Sequence, residues 1–112
     1  METKAAVTAL AALAQDSRLA IFRALVQAGP SGLAAGRISE LTGIAPSSLS
    51  FHLKELSHAD MVDSQQAGRF VIYSANFATM SALLGFLTDN CCGGNPCLPV
   101  CSPACSTEEE ST

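Results

Sequence analysis

The sequence predicts a mainly α-helical domain carrying one β-hairpin, and three observations predict it. Leu49, Leu53 and Leu56 recur at i, i+4 and i+7, one apolar stripe on a helix over Pro46–Ala59 that opens on a proline in its first turn. Just upstream, Ile38–Ile44 carries a short helical pattern interrupted by Gly43, so the pair forms helix, tight turn, helix. Downstream, Met61–Gln66 and Phe70–Ala75 alternate with a period near two around Ala67-Gly68, the signature of a hairpin.

The remaining elements follow in chain order. Ala5–Ala14 is apolar nearly all round, with Val7, Leu10 and Leu13 the larger residues among alanines, so this helix has faces for two partners, unless it is a short helix docked on its own core alone. Asp16 or Ser17 is placed to cap a helix over Arg18–Ala28, where Leu19, Phe22, Leu25 and Val26 form a core face before Gly29-Pro30 stops it. Arg18 and Arg23 are expected on the solvated surface. Gly32–Gly36 is a connector in which Leu33 enters a short strand, and Arg37 opens the small helix before the tight turn. Phe77–Asn90 is the last helix, with Phe77, Met80, Leu83, Leu84 and Leu87 on one side and Phe86 on the other, again two faces for two partners.

A chain of 112 residues, 48% hydrophobic and 14% charged, has enough apolar material for one core plus an interface. No apolar run reaches the roughly 18 residues of a membrane span, and the N-terminus lacks the charged lead and apolar run of an export signal, so a cytoplasmic protein with no membrane partner is expected. The net charge of −4 is uneven: residues 1–90 hold six basic and seven acidic groups, and Glu108, Glu109 and Glu110 make the end acidic. Nucleic-acid binding would then rest on a few placed cations and on helix N-termini.

The helix over Pro46–Ala59 has an outer face suited to such binding. Ser47, Ser48, Ser50, Phe51 and Lys54 lie away from the leucine stripe, giving a small, hydroxylated and basic surface. Arg69 sits at the hairpin tip, within reach of a phosphate or the minor groove, while Arg37 is either simply exposed or, if its small helix flanks a duplex, in contact with the backbone. His52 lies at the flank of the stripe and is expected to anchor the helix through a hydrogen bond; His58, at the helix end, suits its C-terminus.

Leu49-Ser50-Phe51-His52-Leu53-Lys54-Glu55-Leu56, followed by Ala59-Asp60-Met61-Val62, Gly68-Arg69 and Tyr73, resembles the recognition helix and wing of the ArsR/SmtB family of metal-sensing repressors. The resemblance runs from about Leu13 to Cys97. It implies a winged helix-turn-helix that binds double-stranded operator DNA as a homodimer, joined through its first and last helices with Val7, Leu10, Leu13, Leu83 and Phe86 at the interface. Asp60 departs from the family's usual glycine, but aspartate tolerates a left-handed backbone better than most residues.

All five cysteines lie between Cys91 and Cys105, where Gly93-Gly94, Pro96, Pro99 and Pro103 end helical structure; residues 1–90 are therefore one domain and 91–112 a flexible, cysteine-rich tail. Adjacent Cys91 and Cys92 are held about 3.8 Å apart at their α-carbons, below the usual disulfide range, so they are poor partners for each other. Both can turn sulfur toward one soft ion, with Cys97 supplying a third thiolate. Three sulfurs suit As(III) or Sb(III), whereas zinc wants a fourth ligand, which Cys101 or Cys105 could add. The resemblance favours arsenic, since arsenic-responsive members carry a Cys-Cys pair and a nearby cysteine after the last helix; Cys101 and Cys105 have no counterpart there and are expected to be dispensable.

The function expected is a repressor released from its operator by As(III), or Sb(III), on the tail thiolates, with no organic cofactor. The alternatives are a thiol redox switch and a sensor of a divalent metal such as zinc or cadmium. An enzyme is not expected, because no cysteine lies at a helix N-terminus or in a phosphate-binding loop that would lower its pKa.

Overall fold

A computed structural model of the chain describes residues 1–89. Its elements are α1 (Thr3–Leu13), α2 (Asp16–Ala28), β1 (Leu33–Ala34), α3 (Ala35–Thr42), α4 (Pro46–His58), β2 (Val62–Ala67), β3 (Phe70–Ala75) and α5 (Phe77–Leu87). Among the described residues no single helix is long and apolar enough to cross a membrane.

Helix α1 buries its small side. Ala6, Ala9 and Ala12 recur every third residue against the core, while Val7 and Leu10 stand 59% and 42% exposed. The alanines let the helix lie close to the body and leave the larger side chains outside. Arg18, expected in solvent, instead donates from Nε to the Ala12 carbonyl at 2.7 Å and ties the end of α1 to α2.

Helix α2 is capped by Gln15, whose side chain accepts from the Arg18 amide at 3.0 Å, rather than by Asp16 or Ser17. Asp16 falls within the first turn, where a carboxylate favours the positive end of the helix. The core face is Ile21, Phe22 and Leu25, and Leu19, expected there, is exposed. At 100° per residue Leu19 stands about 200° round from Ile21, which explains the exchange.

Ile21, Leu25, Ile38, Leu49, Leu56 and Met61 are the largest fully buried side chains, so the core lies where α2, α3 and α4 meet the start of β2. The turn between α3 and α4 is held by local bonds. Gly43 takes a left-handed φ of 73° and its amide donates to the Ser39 carbonyl, while the Ser39 hydroxyl donates to the Ile44 carbonyl at 2.6 Å. Asp60, after α4, has φ 60°, the one positive value on a non-glycine among the described residues, as its place in the sequence suggests.

The three strands form an antiparallel sheet in the order β1-β3-β2, with Val62 opposite Ala75 and Ala67 opposite Phe70. Val62 is buried, Tyr73 packs half-buried against the core, and Val71 is half-buried. Gly32, at the mouth of β1, combines φ 71° with close approach: a Cβ there would run into the Tyr73 carbonyl oxygen and the Ile72 side chain. Gly32→Ala should therefore cost about 2 kcal/mol or more, read as a lowered midpoint in thermal unfolding.

Asn76 caps α5 by accepting from the Thr79 amide at 2.9 Å. Leu83, expected at a subunit interface, is buried in the core, and Leu13 and Phe86 are half-buried against it. Leu83 is the last buried side chain on α5, one turn short of the helix end, so the exposed apolar residues are Leu84 and Leu87 instead.

Candidate nucleic-acid interface

Three buried leucines fix which way α4 faces. Leu49, Leu53 and Leu56 are inside, and Ser47, Ser48, Ser50, Phe51 and Lys54 are all exposed on the other side. Pro46 occupies the first turn, and the N-cap residue, Ala45, has no side chain able to accept from the helix amides. The amides of that turn are thus available to an anion such as a phosphate oxygen, a feature the sequence showed only as alanine before proline.

The Ser50 hydroxyl donates to the Pro46 carbonyl at 3.2 Å. While that bond holds, only the oxygen lone pairs are free, so Ser50 is set to accept from a base amino group rather than to donate. Phe51 is 57% exposed and packs edge-on against His52, with ring centroids 5.6 Å apart. The anchoring bond expected of His52 is not made: its Nδ1 is buried with no hydrogen-bond partner among the described residues.

The hairpin carries the second part of the surface. Gly68 and Arg69 form a two-residue turn, and the positive φ of 63° falls on Gly68 alone, the pattern of a type II′ turn. Gln66 Nε2 donates to the Gly68 carbonyl at 2.8 Å and braces the tip, where Arg69 is exposed. Beside it stands Phe70, 64% exposed, which the alternation of the strand did not single out. On α3, Arg37 pairs with Glu40 at 3.0 Å, both well exposed. Such a pair contributes only about 0.3–0.5 kcal/mol, so a phosphate can displace it.

Among the described residues no three His, Cys, Asp or Glu side chains come together as a metal site. Cys91, Cys92, Cys97, Cys101 and Cys105 lie outside the described residues, as does the expected tail.

A family model described as a helix-turn-helix domain matches residues 13–65, the span from the end of α1 into β2. Over 87 residues the chain is 29% identical to the HTH-type transcriptional regulator YgaV of Escherichia coli (strain K12), covering 78% of this chain and 86% of that one. The chain is thus similar to helix-turn-helix transcriptional regulators over most of its length. An ArsR-like transcriptional regulator from Rhodococcus sp. RHA1 superposes with a TM-score of 0.67 at 23% identity, over 75% of this chain and 76% of its own. The homodimeric winged helix-turn-helix DNA-binding domain of Mb0332 from Mycobacterium bovis gives 0.62 at 24% identity, over 78% and 81%. The chain has the winged fold of ArsR-like proteins, in which β2 and β3 are the wing, and its relatives are DNA-binding regulators rather than enzymes.

Proposed function

We propose that this protein is a homodimeric repressor that reads operator DNA with α4, holds the duplex with its wing, and lets go when arsenite or antimonite binds Cys91, Cys92 and Cys97. The observation that carries the reading is the exposed face of α4, small and hydroxylated at an uncapped N-terminus, opposite a fully buried leucine stripe. Exposed Val7, Leu10, Leu84 and Leu87 on the first and last helices supply an apolar surface for a second copy. Three residues separate the end of α5 from the first two cysteines, close enough in the chain for an ion gathered there to act on that helix. A trigonal set of thiolates favours a soft trivalent ion.

The test is binding of the full-length protein to duplexes it recovers from a random pool, measured alone and with arsenite, antimonite, zinc or peroxide. Recovered sites should hold two-fold related halves about 34 Å apart, one helical turn, or a multiple of it. Arsenite and antimonite should release them. Release by peroxide with indifference to arsenite would replace the arsenic reading with a redox switch, and release by zinc alone with a divalent-metal sensor.

Two variants separate reading from holding. Arg69→Ala should weaken binding to every duplex and flatten the salt dependence by about one unit, since one phosphate contact is lost. Ser50→Ala should shift sequence preference with the salt slope unchanged. If both bind as the wild type does, α4 and the wing are not the interface.

A further inference from the structure

Phe70 is the most exposed large apolar side chain among the described residues. It opens β3 immediately after Gly68 and Arg69, so a ring and a guanidinium share the tip of the wing. Its cross-strand partner is Ala67, whose single methyl group cannot shelter a ring. The neighbouring positions on β2, Asp63, Ser64, Gln65 and Gln66, are exposed and polar. Core packing therefore does not account for this side chain, and a polar residue would serve the hairpin as well.

The tip is also braced. A two-residue turn with its positive φ on glycine and the bond from Gln66 to Gly68 hold the backbone from which the ring projects. Strand β2 is an edge of the sheet, but its acidic and amide side chains suit strand addition by a second copy poorly. A basic residue and an unshielded ring together match a different surface, the minor groove, whose negative potential attracts arginine and whose base steps accept an apolar wedge.

We infer that Phe70 is a wedge for the minor groove of duplex DNA, seated at the step beside the one Arg69 engages. The inference rests on the repressor reading and adds a way of sensing sequence that needs no hydrogen bond. Pushing a ring against a base step partly unstacks it and bends the duplex toward the major groove. Unstacking is easiest at pyrimidine–purine steps, TA and CA/TG, so the flanks of each half-site should favour them. Phe51 on α4, the other well-exposed phenylalanine, would instead meet a thymine methyl in the major groove, so the two rings have separable readouts.

The experiment uses full-length protein and roughly 40-base-pair duplexes recovered from a random pool by the wild type, dye-labelled at both ends so that energy transfer reports bending. Phe70→Ala should fold with an unchanged thermal midpoint, because the ring is largely in water. It should bind those duplexes about 5- to 30-fold more weakly with the same salt slope, and bend them less. Phe70→Leu, still an apolar wedge, should retain most of both effects. Pools reselected with Phe70→Ala should lose the flanking preference. Wild-type affinity and bending in Phe70→Ala would overturn the inference, as would loss of its dimer in light scattering, which would assign the ring to contact between copies. A wild type that retains no duplex at all would remove the repressor reading beneath it.

Discussion

Replacing Leu10 with aspartate is expected to abolish operator binding through loss of the dimer. Leu10 flanks the buried row of Ala6, Ala9 and Ala12 and is exposed beside Val7, so the substitution disturbs little of the protomer's own core. In a two-fold dimer the change is felt twice. Each leucine withdrawn from burial forfeits about 1.5–3 kcal/mol, and each carboxylate that would have to enter the interface unpaired adds a further penalty. The sum for two copies is about 4 kcal/mol or more, roughly a thousandfold in dimerisation. A single protomer then holds half the phosphate contacts, and its affinity falls away steeply as salt rises. Light scattering should show the wild type as a dimer and Leu10→Asp as a folded monomer. A wild type that is monomeric at working concentration would sink the prediction.

What the sequence disclosed and what it hid divide along physical lines. The stripe of Leu49, Leu53 and Leu56, the left-handed turn at Gly43 and the hairpin register from Val62 to Ala75 depend on neighbours a few residues away, and each lies where local spacing puts it. The left-handed Asp60 was legible for the same reason. Helices with two apolar sides were not settled by periodicity, because a wheel shows that a side is apolar without showing which body covers it. Leu83 and Ile21 face the core while Leu84 and Leu19 do not, and only the packing of α5 and α2 decides that. Gly32 owes its role to β3, some forty residues later in the chain, so no local pattern could announce it. Among the candidate interface residues, the face of α4 was legible because burial of the leucines forces the rest outward. Phe70 was not, because strand alternation assigns a side without saying whether anything covers it.

The response to arsenite is the other large effect, and its size follows from linkage. If three thiolates just beyond α5 close round one ion, the end of that helix is pulled or frayed. A dimer built on α1 and α5 would then shift toward a geometry in which its two α4 helices no longer match successive grooves. Coupling between two such sites is typically about 1–3 kcal/mol, a weakening of DNA binding by roughly 5- to 150-fold, and operator DNA must weaken arsenite binding by the same factor. Serine at any one of Cys91, Cys92 or Cys97 should leave DNA affinity without arsenite unchanged and blunt the release, because oxygen is a poor ligand for a soft ion. Serine at Cys101 and Cys105 together should respond much as the wild type does. Titrations of arsenite with and without bound duplex, run on each variant, measure both halves of the cycle. If the double variant loses its response while Cys97→Ser keeps it, the third ligand lies further along the chain. If arsenite binds the wild type equally well with and without duplex, the ion is not acting on the DNA-bound dimer at all.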